Sequence, residues 1–221
     1  MIIDLTHTIT ADIPVYPGDP VPVLEKTASL TNSGCRLTRL SLGSHAGTHM
    51  DAPAHLLLGG ATLDKLPLSS FCGRATALDV TQAGPVITAD FLREQNGAIR
   101  SADFVLFYTG WEKKWGTPEY LEDGFPVLDA AAARYLVSCG LKGVGTDAPG
   151  VDAVGDQSNT AHKILLNDNM VLLESLCLKK VAGRENFRFY ALPLKFQDAD
   201  GAPVRAIADL RELPEKEMDA Q

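Results

Sequence analysis

The chain has 221 residues, 45% of them hydrophobic and 22% charged, with a formal net charge of −8. Chains of this size bury about 70% of their extended surface, enough for one full core, and the composition is that of ordinary globular material. The acidic balance excludes the electrostatic footprint of a nucleic-acid or anionic-membrane binder. No apolar run approaches the ~20 residues that span a bilayer, and the opening MIIDLTHTIT lacks the basic start of a secretory leader. Cys35, Cys72, Cys139 and Cys177 are scattered without a C-x-x-C pair, which predicts free thiols in a reducing cytoplasm.

In chain order, an apolar β-rich run at 2–9 comes first, then the stiff segment PVYPGDP, then a second run at 36–43. Prolines 14 and 17 hold Tyr16 in an extended loop, which suits a platform for a flat substrate. HAGTHMDAPAH follows at 45–55, with three of the five histidines. His45 and His49 are four apart, the spacing of two ligands on one face of a zinc helix. Gly47, Pro53 and the alternation in RLTRLSLGS argue instead for a strand, a Gly-assisted turn and a short extended piece. In that piece His49 and Asp51 point to one face, and the turn folds His45 back beside them.

Further β runs are predicted at 74–80, 103–109, 141–146, 170–177, 187–196 and 203–209. Helices are fewer: TADFLREQ, capped by Thr88; LDAAAARYLVSCG, ending at Gly140; and SNTAHKILLND, which starts from a cluster of capping residues. Strands and helices alternate along the whole length without repeats or a low-complexity linker. The expectation is a single α/β domain over 1–221, with a mixed, barrel-like sheet and a few flanking helices. The tail RELPEKEMDAQ is expected to be loosely ordered.

Between Ser41 and Gly59 the only formally charged residue is Asp51. A buried carboxylate without a partner is very costly, and two imidazoles with a divalent cation would satisfy it. Two His and one carboxylate form a ligand set of catalytic zinc, manganese or iron sites, which keep positions open for water. His55, beyond Pro53, then stands as an acid/base group. The competing reading is a loop with incidental histidines. His7, in DLTHTI, reads as structural, and Trp111 and Trp115 either line a pocket or pack in the core.

The pattern H-x-G-T-H-x-D-x-P-x-H resembles the signature of the cyclase/kynurenine formamidase family of metal-dependent hydrolases, and His45 through His55 match every fixed position. PVYPGDP, TGW at 109–111, GVGTDAPGVD and LPLKFQDADGAPVRA extend the resemblance over essentially the whole chain. It implies a swivelling β/β/α fold and a first ion on His45, His49 and Asp51. It also implies Asp51 bridging to a second ion held by His162 and Glu174, which are twelve apart as in the family. Two Zn2+ per chain are expected, with Mn2+ as the alternative. Glu174 carries independent weight, because it is the only charge in the apolar stretch MVLLESLCL. The implied activity is hydrolysis of an arylformamide such as N-formylkynurenine in tryptophan catabolism, with ring opening of a cyclic amide or lactone as the runner-up. Kynurenine formamidases carry Trp where this chain has Tyr16, which weakens that substrate assignment. The partners expected are a small-molecule substrate and a second copy of the chain, as a homodimer or larger homo-oligomer.

Two rivals carry less. GVGTDA satisfies G-x-G-x-x-A after a strand, but Pro149 and Gly150 stand where the phosphate-binding helix should begin. No G-x-S-x-G elbow marks a serine hydrolase. A non-catalytic metal-binding module is the remaining alternative.

Overall fold

The computed structural model describes residues 1–211, so that nearly all of the tail expected to be loosely ordered lies outside the described residues. The strands are β1 (Ile2–Asp4), β2 (Val23–Ala28), β3 (Leu37–Ser41), β4 (His49–Asp51), β5 (Cys72–Asp79), β6 (Val86–Ile87), β7 (Phe104–Tyr108), β8 (Val127–Leu128), β9 (Gly143–Thr146), β10 (Val171–Glu174), β11 (Phe187–Pro193) and β12 (Gly201–Asp209). The helices are α1 (Leu30–Ser33), α2 (Ala89–Glu94), α3 (Asn96–Arg100), α4 (Ala130–Ser138) and α5 (Thr160–Asn167).

Seven strands close a mixed barrel in the order β12–β11–β5–β7–β9–β10–β4, with β4 pairing back onto β12 and β1 added outside β12. The steps β5–β7–β9–β10 are parallel, and helices provide the crossovers that parallel pairing requires. The remaining ring pairings are antiparallel. Side-chain alternation divides the core in two. Phe104 and Leu106 of β7 join Met50, Leu173, Phe189 and Ala206 in one cluster, whereas Val105 and Phe107 pack with Leu136 of α4 and Leu165 of α5.

All eight apolar runs contain strands, each trimmed at one or both ends except the last, which extends back to Gly201. The three expected helices also form. Thr88 and Asp129 cap α2 and α4 through their side chains, while α5 receives no cap bond from its own Asn159. The acceptor there is Asp152, from the preceding loop. β2 escapes a sequence reading because VLEKTA buries no face. Trp115 stacks on His7 and meets Tyr120 edge-on, and the Trp111 indole donates to the Tyr120 carbonyl. Both tryptophans are thus packing residues, and His7 is structural as expected. All four cysteines are free. The glycines of GVGTDA sit within β9, where a Cβ on Gly143 would lie 2.6 Å from the Val171 carbonyl oxygen. A long loop follows before α5, so those glycines serve strand packing and no phosphate-binding helix follows them. Among the described residues, no helix is long and apolar enough to cross a membrane.

Candidate metal centre

The site forms where β4 closes the barrel. β4 runs antiparallel between β10 and β12, which puts His49 directly opposite Glu174 on one side and Asp51 opposite Gly201 on the other. Strand alternation sends both His49 and Asp51 to one face. Gly47, with φ +69°, makes the turn that brings His45 back over that face. Gly201 leaves room for the ring: a Cβ there would lie 2.5 Å from His45 Cε1.

The donor atoms converge on Asp51. Its Oδ1 lies 2.7 Å from His45 Nδ1 and 3.4 Å from His49 Nε2. Its Oδ2 faces the other way, 4.0 Å from His162 Nε2. His162 sits in the first turn of α5, and its Nε2 is 3.0 Å from Glu174 Oε1, while Glu174 Oε2 is 3.3 Å from His49 Nε2. His45, His49 and Asp51 form one group with ligand atoms all within 4.8 Å of one another, and Asp51, His162 and Glu174 form a second. Asp51 and Glu174 are both buried, and burial opposes their charge. Even so, the surrounding imidazoles hold Asp51 well below the usual carboxylate range, and His162 and His49 hold Glu174 low against the additional push of Asp51. Burial would depress His45 and His162 as well, but Asp51 raises His45 to about 9, and Asp152 with Glu174 raises His162 to about 10. Without a metal, these rings keep protons that compensate the buried carboxylates. A divalent cation would take over that role and release the protons on binding. The donor set therefore fits the metal the sequence called for, with imidazole and carboxylate in the proportions of zinc and manganese sites.

His55 has a different environment. Its side chain is 31% exposed, and its ring lies 4.1 Å from that of His45. Burial and the neighbouring His45 outweigh the pull of Asp51, so its pKa falls below the ordinary histidine value. It thus presents a neutral imidazole at neutral pH.

All of these residues line one cavity of about 360 Å³, together with Tyr16, Leu56, Leu121 and Val154. The Tyr16 hydroxyl accepts a hydrogen bond from the Gly155 amide at 2.9 Å, tying the proline-braced loop to the loop before α5. The structure therefore brings together all seven residues that the sequence singled out: Tyr16, His45, His49, Asp51, His55, His162 and Glu174.

Two carboxylates were missed. Asp200 Oδ2 pairs with His45 Nε2 at 3.1 Å and lies 4.0 Å from His55 Nδ1. Asp152 pairs with His162 at 2.7 Å. Neither had a distinguishing signal, because both lie in loops already rich in aspartate.

The family model described as "Putative cyclase" matches residues 3–153. The chain belongs to this cyclase family. A kynurenine formamidase of Salinibacter ruber is 35% identical over 221 residues, covering 97% of this chain and 99% of its own. Among solved structures, a potential metal-dependent hydrolase with cyclase activity superimposes with a TM-score of 0.75 at 31% identity, covering 96% of this chain and 99% of that one. Isatin hydrolase A from Labrenzia aggregata, at 24% identity, shares the fold with a TM-score of 0.81 over 94% of this chain and 93% of that one. Like the relatives it matches, this member of the cyclase family is a hydrolase.

Proposed function

We propose that the protein is a metal-dependent amidohydrolase acting on a small aromatic amide, with an arylformamide such as N-formylkynurenine as the leading substrate. The observation that carries this reading is one cavity lined both by two donor groups that share the buried Asp51 and by the neutral, partly exposed His55. His45, His49 and Asp51 would hold one divalent cation, and Asp51, His162 and Glu174 a second, Zn2+ ahead of Mn2+. When bound, such ions acidify water and polarise a carbonyl. His55 takes up a proton and delivers it to the departing nitrogen, which a ring neutral at working pH can do. Tyr16 offers its face to the substrate ring in a cavity that Leu56, Leu121 and Val154 also line. Among the described residues, no lysine or arginine lines the cavity, which favours a substrate without a net negative charge at its remote end.

Ring opening of a cyclic amide or lactone is the second reading, because the same wall serves any activated carbonyl. A metal-reconstituted hydrolysis screen over formanilides, N-formylkynurenine, isatin and simple lactones decides between them. Turnover confined to the open-chain amides supports the first reading, and turnover confined to the cyclic compounds replaces it. No metal-dependent turnover of any of them overturns the proposed substrate class.

The same proposal takes the chain as one cytoplasmic domain over 1–221 that works as a homodimer or larger homo-oligomer, its place being tryptophan catabolism. The hairpin β2–β3 supports assembly. Val23, Leu24, Leu37 and Leu40 are all exposed on it, and a two-stranded hairpin is marginally stable without a covered face. Sedimentation of the purified chain tests this, a monomer being the contrary result.

A further inference from the structure

We propose that Asp152 is a positioning residue for the second metal site, fixing the ring of His162 so that Nε2 faces the ion. The inference rests on the binuclear reading above, and its evidence is the set of bonds Asp152 makes. Oδ2 pairs with His162 Nδ1 at 2.7 Å and also accepts the His162 backbone amide at 2.9 Å, while Oδ1 accepts the Ala161 amide at 3.0 Å. A single buried carboxylate thus ends the backbone of α5 and grips the ring of its third residue. α5 has no side-chain cap of its own, so Asp152 supplies the acceptor its first turn needs.

The consequence for the ring is chemical. A carboxylate accepts and does not donate, so Nδ1 must carry the proton toward Asp152. Nε2, 3.0 Å from Glu174 Oε1 and 4.0 Å from Asp51 Oδ2, is then the atom whose proton a cation would replace. The other two rings are fixed in the same way. His49 Nδ1 donates to the Gly47 carbonyl at 2.8 Å, and His45 Nε2 faces Asp200. A carboxylate behind a ligand histidine also raises its basicity, and losing such a partner typically costs 10–100-fold in metal affinity.

The test uses the full-length protein titrated with Zn2+ against a competing chelator. Asp152→Asn, which removes the charge and one acceptor, should raise the dissociation constant of the second ion roughly 10–100-fold and leave that of the first unchanged. Leu166→Ala opens the buried side of the same helix one turn beyond His162, at a residue that makes no hydrogen bond to Asp152. It should lower the melting temperature at least as much, yet leave the second ion bound as in the parent. A parent with two ions and an Asp152→Asn variant that binds both equally well would overturn the proposal alone, as would a Leu166→Ala variant that weakens the second ion to the same degree. A parent that takes one ion overturns the binuclear reading, and this proposal with it. Nitrogen-15 spectra of the zinc-loaded parent give a check that needs no variant. The His162 proton must reside on Nδ1, and a proton on Nε2 contradicts the assignment.

Discussion

The two halves of the metal centre are built differently. His45, His49, Asp51 and His55 come from one short segment, placed by a glycine turn and by strand alternation. His162, Glu174 and Asp152 come from a helix, a distant strand and a loop, and meet only when the barrel closes. The first half is placed mainly by backbone geometry, with Asp200 as its one partner from a distant loop. The second depends on side-chain hydrogen bonds between elements far apart in sequence. A site assembled in this way should bind its ion more weakly and lose it first to a chelator, even though both halves share Asp51.

The largest expected effect lies in the local half. His49→Ala removes a donor shared by Asp51 and Glu174, and should abolish metal uptake and activity together. His55→Gln should keep its metal and lose about 100-fold or more in rate, because only proton transfer is removed. Metal content of both purified variants checks this, and a metal-poor His55→Gln protein would make His55 a ligand. Next comes Gly201→Ala, whose methyl would displace the His45 ring. It should weaken first-ion binding by roughly the 10–100-fold that follows when a ligand loses its orientation, and unchanged affinity would show that the ring can move aside.

A smaller effect is expected at Tyr16, beyond both halves. Tyr16→Trp enlarges the stacking face and removes the bond to Gly155. It should lower KM for N-formylkynurenine by a few-fold, since aromatic pairs contribute ~1 kcal/mol, with kcat little changed because stacking on a remote ring serves ground and transition states alike. No change for any aromatic substrate would remove Tyr16 from the pocket. The smallest effect is on stability. Burial lowers His7 to about 4 in the folded protein, against an ordinary 6.5. Between these values the unfolded chain binds the proton and the folded one does not. The contribution is therefore complete above about 6.5 and is lost as pH falls toward 4. In metal-free protein His45 and His162 gain stability over the same interval, so the His7 contribution is read as a difference: between pH 7 and pH 5 the urea midpoint of His7→Gln should change more favourably than that of the parent. An equal change in parent and variant would remove His7 as a contributor.

The same division explains what could be read from the sequence. The turn at Gly47 and the shared face of His49 and Asp51 follow from local rules, so the first half was legible residue by residue. Glu174 was visible as a lone charge in an apolar strand, and His162 only through the family resemblance, which sets a histidine twelve residues before that glutamate. Asp152 and Asp200 were not visible, because one aspartate in GTDAPGVDAVGD or FQDADG looks like its neighbours until the fold selects it. The barrel could be expected from the number and mixture of strands. Its closure could not, because it depends on three-residue β4 inserting between β10 and β12. The cap of α5 was misplaced for a similar reason. Local Ser, Asn and Thr suggested it, but the acceptor arrives from Asp152.

The most direct test of a two-ion centre sharing Asp51 is the metal content of the gently purified, fully active protein, set beside that of Glu174→Gln. Elemental analysis should give close to two divalent ions per chain in the parent. The variant should fall toward one ion while keeping its fold and losing most of its activity. Full activity with a saturating content of one ion would contradict the account and reduce the site to His45, His49 and Asp51.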